Sequence, residues 1–263
     1  MLETLAREVR DETVTFSLMA RPFLTAEWRY LAMVNCAVDP ALLAPLVPNG
    51  TELDFYRGET FLSVVGFLFL NTRVLGLPIP RHRDFEEVNL RFYVRRRSVE
   101  GWRRGVVFVR ELVPRRAVAL VARTFYGEPY SAVPMRHVVE HQAQMLAVSY
   151  SWWRDRRWET LAMTATGEPK HSATDSHEEF ITEHYWGYTK RPLRTNEYRV
   201  EHERWRFWPA KTWRCDMDAA ALYGASFAPA LNAPPASAFI AEGSSVVVRR
   251  RTRETFQALL PPD

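Results

Sequence analysis

The chain has 263 residues, 47% of them apolar and 25% charged, with a formal net charge of +4. That is enough for one large soluble domain or two small ones. The modest charge, with no basic run joined to a recognition motif, argues against nucleic acid as a partner, and no apolar run approaches the ~18–20 residues of a membrane helix.

The opening residues MLETLAREVRDETV carry acids and lack the apolar stretch of a secretory signal. Cys36 and Cys215 allow at most one disulfide. The expectation is a reduced, cytoplasmic chain with no membrane partner. Of 35 basic residues only Lys170, Lys190 and Lys211 are lysine. Guanidinium groups suit anion binding and ion pairing better than base chemistry.

In chain order, residues 1–10 read as a short amphipathic helix, because Leu2, Leu5, Ala6 and Val9 recur at helical spacing. RYLAMVNCAV (29–38) reads as a buried strand. DPALLAPLVP follows as a short helix capped by Asp39 and ended by Pro45 and Pro48. ELDFYRGETFLSVVGFLFL reads as a hairpin turning at Arg57–Gly58, and 71–84 as a long loop. EEVNLRFYVRR alternates, with Val88, Leu90, Phe92 and Val94 on one face and Asn89, Arg91, Tyr93 and Arg95 on the other.

VEGWRRG makes a turn into the strand GVVFVREL. There Val107, Val109 and Glu111 share one side, and Phe108, Arg110 and Leu112 the other. A helix is expected from about Pro114 to Tyr126, with Gly127 at its end. QMLAVSYSWW reads as strand, 164–178 as a polar stretch, and EEFITEHYWGYTK as strand again. EYRVEHERWRFWPAKTW gives two short strands, MDAAALYGASF a helix, and SSVVVRR a last strand, with RRRTR (249–253) as a solvated chain end. The expected fold class is mostly β with short helices, in one domain over residues 1–263.

Arg115 and Arg116 fall in the first turn of the expected helix, where cations oppose the macrodipole at a cost of roughly 0.3–1 kcal/mol each. Two readings compensate. One is a structural ion pair, with Glu111 or Glu87, or simple exposure. The other is an anion site, in which free N–H groups at the helix start and a guanidinium fork hold a carboxylate or phosphate.

The stretches AVDPALLAPLVPNGTELDFYRG, FEEVNLRFYVRR, GVVFVREL, FITEHYWGY and AEGSSVVV together resemble the YqjF-like family of bacterial proteins. That resemblance implies a fold like that of acetoacetate decarboxylase, an antiparallel β barrel or sandwich enclosing a small pocket. VRELVPRR is similar to the decarboxylase's active-site stretch, where an Arg–Glu and a proline precede two lysines. There the first lysine forms a Schiff base and the second lowers its pKa. Arg115 and Arg116 stand where the lysine pair would be, allowing for a short gap. Glu87 falls where the decarboxylase keeps a pocket glutamate. Guanidinium is no amine nucleophile, so Schiff-base catalysis at this place is excluded.

HVVEH (137–141) matches an inverted zincin pattern, but that chemistry needs a helix and a third ligand, and a proline precedes it here. No metal is expected. HSATDSHEE (171–179) reads as a solvated loop, and Glu183 and His184 as structural or surface residues. No Gly-rich phosphate loop appears and no cofactor is expected. Tyr126, Glu128 and Tyr130 are further pocket candidates. The reading is a small-molecule pocket protein acting on an organic acid or carbonyl compound without Schiff-base formation. Arg115, Arg116, Asn89, Arg91 and Tyr93 would bind a small anionic ligand, and Glu87 or Glu111 would orient an arginine or act as acid/base. The alternative is a non-catalytic binding or interaction module with a structural Arg/Glu cluster. Whether it is an enzyme, and whether it forms a homo-oligomer, stays open.

Overall fold

The computed structural model describes residues 22–254; the helix expected over residues 1–10 lies outside them. The chain runs through β1 (Pro22–Val38), a turn of helix α1 (Pro40–Leu43), β2 (Glu52–Leu53), β3 (Thr60–Val74), β4 (Leu77–Pro78), β5 (Phe85–Ser98) and β6 (Gly101–Val113) to helix α2 (Arg116–Phe125). Strands β7 (Tyr130–Ala132), β8 (Met135–Gln142), β9 (Met145–Arg154), β10 (Arg157–Thr166) and β11 (Lys170–His171) follow, then the short helix α3 (His177–Thr182). Next come β12 (Trp186–Arg191), β13 (Arg194–His202), β14 (Arg206–Pro209) and β15 (Thr212–Asp216). Helices α4 (Ala219–Tyr223) and α5 (Ala228–Asn232) and strands β16 (Ser237–Arg249) and β17 (Thr252–Glu254) complete it.

The strand pairings close on themselves. Going round, β16 pairs β1, β1 pairs β3, β3 pairs β5 and β5 pairs β6. Then β6 pairs β12, β12 pairs β13, and β13 returns to β16. All are antiparallel except β6–β12. Closure leaves these seven strands no free edge to recruit another chain. A second antiparallel sheet, ordered β15-β10-β9-β8, covers one side of the ring.

Side-chain alternation sorts each ring strand between two cores. Leu62, Val64, Leu90 and Phe92 point outward and pack with Tyr150, Trp152, Leu161 and Met163 of the covering sheet. Phe61, Val65, Phe67, Tyr93 and Val106 point into the ring. Both faces of β3 are therefore dry, which is why TFLSVVGFL reads as an almost unbroken apolar run. Gly66 marks the closest approach of the two sheets, where a Cβ would stand 2.6 Å from Tyr150 Cδ2.

Several expectations are corrected by this arrangement. The turn at Arg57–Gly58 is present, both residues having positive φ and Tyr56 bridging Glu59. However, the arm before it joins β5 (Glu52↔Arg95), not β3. EEFIT is helical rather than extended, because Ser176 caps α3 by accepting from the Glu179 N–H. Residues 249–253 are no free chain end: Arg249 binds Glu201 at 2.7 Å, and β17 adds to β13. Most consequential is a β-bulge. Leu90 pairs Arg110 and Arg91 pairs Phe108, so Val109 has no partner on β5. The extra residue shifts the alternation, so Val106, Phe108 and Glu111 face inward while Val107, Val109 and Leu112 join the outer core. The expected grouping of Glu111 with Val107 and Val109 is wrong for that reason.

Candidate functional site

The ring encloses a cavity of about 200 Å³. Its wall is mainly aromatic and aliphatic, with Phe67, Phe69, Phe85 and Phe108 contributed by β3, β5 and β6, and Val118, Val121 and Ala122 of α2 closing one side. The inward face of β5 presents Glu87, Asn89 and Arg91 in succession, one every second residue. Glu111 stands directly opposite Asn89 on β6. Glu128 and Tyr130 enter after α2, because β7 runs parallel to the end of β6 with Tyr130 beside Glu111.

Three carboxyls thus share one dry wall. Glu87 accepts from Asn89 Nδ2 at 3.0 Å and from the Tyr130 hydroxyl at 2.8 Å. Burial still pushes its carboxyl up to about 7, against those hydrogen bonds and the positive charge of Arg91. Glu128 accepts from Thr189 (2.7 Å) and Tyr198 (2.9 Å), both on Oε1, and burial takes it likewise to about 7. Glu111 is held well above the carboxylate range, first by burial and then by the negative charge of Glu128 and Glu87. The Tyr130 hydroxyl donates to Glu87 Oε2, and its hydrogen bonding also offsets part of the rise at Glu111.

Asn89 Oδ1, Glu111 Oε2 and Glu128 Oε2 have no hydrogen-bond partner among the described residues. Leaving a buried acceptor bare costs about 1–3 kcal/mol. Arg91, 8% exposed, is similarly underused. Its guanidinium reaches the Ile181 carbonyl at 3.3 Å and lies 5.6 Å from the centre of the Tyr93 ring, while its Nε has no partner. Among the described residues it forms no carboxylate ion pair.

His184 and His202 also reach the cavity. The His184 Nε2 is 3.3 Å from Asp54 Oδ2, which also accepts from Arg104 Nε at 2.6 Å. Burial pushes the His184 imidazole down to about 4. His184 is therefore neutral near pH 7, and Arg104 balances Asp54. His202, stacked 4.2 Å from Trp205, is also driven down to about 4 by burial.

The expected site residues separate into two groups. Glu87, Asn89, Arg91 and Glu111 come together on the cavity wall, joined by Glu128 and Tyr130. Arg115 and Arg116 do not. Helix α2 begins two residues later than expected, with Arg115 as its N-cap, and both arginines are exposed outside the cavity. The bulge and the turn at Pro114 carry them past the ring wall. Tyr93 points into the ring but is not a wall residue; its hydroxyl lies 2.6 Å from Ser63 Oγ, and its ring packs on Phe180 and His184. His137 binds Glu86 at 2.6 Å on strand β8. Among the described residues no group of three or more His, Cys, Asp or Glu is disposed to hold a metal ion. Nor is any helix among them long and apolar enough to cross a membrane. Tyr198, Thr189 and His202 were not singled out in the sequence. They sit on β12 and β13, and only ring closure brings those strands beside Glu128.

Comparison with known proteins agrees with the architecture. A Sphingomonas wittichii RW1 structure described as an acetoacetate decarboxylase-like enzyme superposes with a TM-score of 0.61 at 14% identity, covering 91% of this chain and 96% of the other. The enduracididine biosynthesis enzyme MppR, complexed with the condensation product of pyruvate and imidazole 4-carboxaldehyde, gives 0.58 at 13% identity, covering 92% of each chain. At those identities the likeness concerns the fold. The YqjF protein of Bacillus subtilis (strain 168), itself described as uncharacterized, is 30% identical over 182 residues, 68% of this chain and 72% of its own length. The DUF2071 family model, described as an uncharacterized conserved protein, matches residues 25–245, so the chain that builds this ring and cavity belongs to the DUF2071 family.

Proposed function

We propose that the cavity binds a small organic acid and that any chemistry there is proton transfer, without Schiff-base formation. The observation that carries this reading is Arg91, a buried guanidinium with no carboxylate partner on the wall of an otherwise apolar chamber. A ligand carboxylate or enolate would supply the missing anion through charge-assisted hydrogen bonds. The cavity wall contains no lysine. All three lysines of the chain are exposed, so among the described residues no amine reaches the cavity to form an imine with a ligand.

Glu87 is the candidate acid/base. A carboxyl raised to about 7 is half ionised near neutral pH and can both take and return a proton. Tyr130 and Asn89 fix both of its oxygens, leaving it oriented along the strand from Arg91. MppR, a neighbour of the same fold, holds pyruvate-derived ligand, which supports a keto acid or related acid as the class to try.

The test is calorimetric titration with pyruvate, acetoacetate, lactate and short carboxylates, repeated on Arg91→Gln. Binding lost in Arg91→Gln but kept in Arg115→Gln/Arg116→Gln supports the reading. Binding that survives Arg91→Gln refutes it. Solvent exchange of the bound acid's α-protons, followed by NMR and abolished in Glu87→Gln, separates catalysis from binding alone. Binding without exchange or turnover assigns the non-catalytic role.

A further inference from the structure

The cavity holds more acid than one arginine can balance, and on its carboxyl wall the unmet hydrogen bonds are all of one kind, whereas Arg91 Nε and Trp28 Nε1 are unmet donors elsewhere in the lining. Asn89 Oδ1, Glu111 Oε2 and Glu128 Oε2 are acceptors, each without a donor. Their residues are only 2%, 1% and 4% exposed, and all three line the cavity. The orientation of Asn89 is fixed, because its Nδ2 already donates to Glu87. Glu128 is fixed too, since Thr189 and Tyr198 both donate to Oε1 and leave Oε2 bare. Asn89 and Glu111 are cross-strand partners, and Glu128 lies two residues before Tyr130, the β7 partner of Glu111. One section of wall therefore offers three buried acceptors and no donor for them.

We propose that this section is the seat of a ligand ammonium group, so that the ligand is a small zwitterion with its carboxylate on Arg91 and its amino group between Asn89, Glu111 and Glu128. The proposal rests on the organic-acid reading of the same cavity. An ammonium carries three N–H donors and no acceptor, which matches the acceptors in number and kind. A keto acid or simple carboxylate brings only acceptors to that end; it leaves Asn89 Oδ1 unmet and meets Glu111 and Glu128 only while they keep their protons. A metal ion fits less well, since among the described residues no group of ligands is disposed to hold one.

Binding has a proton signature. The titratable and charged groups facing the acceptors are Glu87, Arg91, Glu111, Glu128, Tyr130, Tyr198 and, from β12, Arg191. Of these only the three carboxyls change charge near neutral pH. In the empty cavity burial raises all three, with mutual repulsion adding to Glu111 and Glu128, so Glu87 and Glu128 are about half protonated at pH 7 and Glu111 more so. An arriving ammonium displaces that proton, so binding releases protons and tightens as pH rises from 6 to 8. A carboxylate without an amino group does the reverse, because it is repelled as the cavity acids ionise.

The experiment uses the whole protein and matched probes: glycine against acetate, β-alanine against propionate, 4-aminobutyrate against butyrate, with propylamine and butylamine as amines lacking an acid. Calorimetry is run in phosphate and in Tris, from pH 6 to 8. The expected result is that at least one amino acid binds about tenfold or more tightly than its deaminated match, with proton release, and that Glu111→Gln and Glu128→Gln each erase the preference. Equal binding within every pair, or affinity that falls with pH for the amino compounds, overturns the proposal. So does failure of all the amino probes. The two readings fail separately. If carboxylates bind through Arg91 with no gain from an amino group, only the ammonium seat is lost. If amines bind through Glu111 and Glu128 while Arg91→Gln changes nothing for any acid, the anion site and with it the zwitterion are lost, and only the ammonium seat stands.

Discussion

Asn89 and Glu111 face each other across β5 and β6, both directed into the cavity, and neither Asn89 Oδ1 nor Glu111 Oε2 receives a hydrogen bond. An uncharged Glu111 carboxyl is the state its surroundings favour. Its folded pKa lies above its unfolded value, so the folded chain keeps a proton that the unfolded chain has lost. Stability is then full below the unfolded value and falls as pH rises toward the folded one. Glu87 and Glu128, both raised to about 7, act in the same sense. Below about pH 6.5 the neutral His184 and His202, driven down to about 4, act in the opposite sense. The clean window is therefore about pH 6.5–8. There the melting temperature should fall with rising pH, and Glu111→Gln should flatten that slope and melt higher than wild type at pH 8. A Glu111→Gln variant that melts lower at pH 8 would contradict a protonated Glu111.

Arg91 is the cation nearest Glu87 in the cavity and helps hold its carboxyl down. Removing the charge in Arg91→Gln should push the Glu87 pKa above about 7. Carbon NMR titration of labelled Glu side chains reads this directly, and no upward shift would separate the two groups electrostatically. Acid binding should weaken by roughly 10–100-fold, the equivalent of a charge-assisted hydrogen bond of about 1.5–3 kcal/mol.

Arg116 opens α2, whose first turn contains no acidic residue, and its neighbour Arg115 offers no side-chain cap. Arg116→Glu should favour the helix macrodipole and raise stability by about 0.3–1 kcal/mol at low salt, less at high salt. Urea melts at two salt concentrations check both parts. Ligand affinity should not move, because the side chain lies outside the cavity.

Gly187 lines the cavity where β12 passes Tyr198, and a Cβ there would fall on the Tyr198 ring. Gly187→Ala must push that ring away, and with it the hydroxyl that holds Glu128 Oε1. The expected cost is about 1–3 kcal/mol, the usual penalty for overpacking. The double variant Gly187→Ala/Tyr198→Phe should cost less than the sum of the two single changes, since both break one hydrogen bond. Additive losses in thermal melts would show that the ring does not move.

Periodicity revealed one wall of the site and hid the other. The alternation of FEEVNLRFYVRR is unbroken, so Glu87, Asn89 and Arg91 could be placed on one face from sequence alone. Alternation puts Glu111 beside Val107 and Val109, the wrong neighbours, because a bulge leaves no mark in a run of valines. The arginine pair drew attention through its cost to the helix, whereas the cavity uses a single arginine on a strand. Helix α3 did carry a signal: Ser176 followed three residues later by Glu179 has capping-box spacing. The strand-like EEFIT run obscured it. Tyr198 and Thr189 could not have been found without the ring closure, a contact between distant parts of the chain.

The unpaired Val109 has a bearing on descent. Strand pairing fixes which residues are neighbours, but the bulge alone decides which of them look inward. Moving the extra residue two steps along β6, from 109 to 111, would set Arg110 opposite Asn89 in place of Glu111 while leaving the ring, its hydrogen-bond order and its length intact. A family that drifts in this way can replace its reactive group by slippage rather than substitution. Gap-free alignments through VVFVREL would then equate residues that never occupied the same chamber.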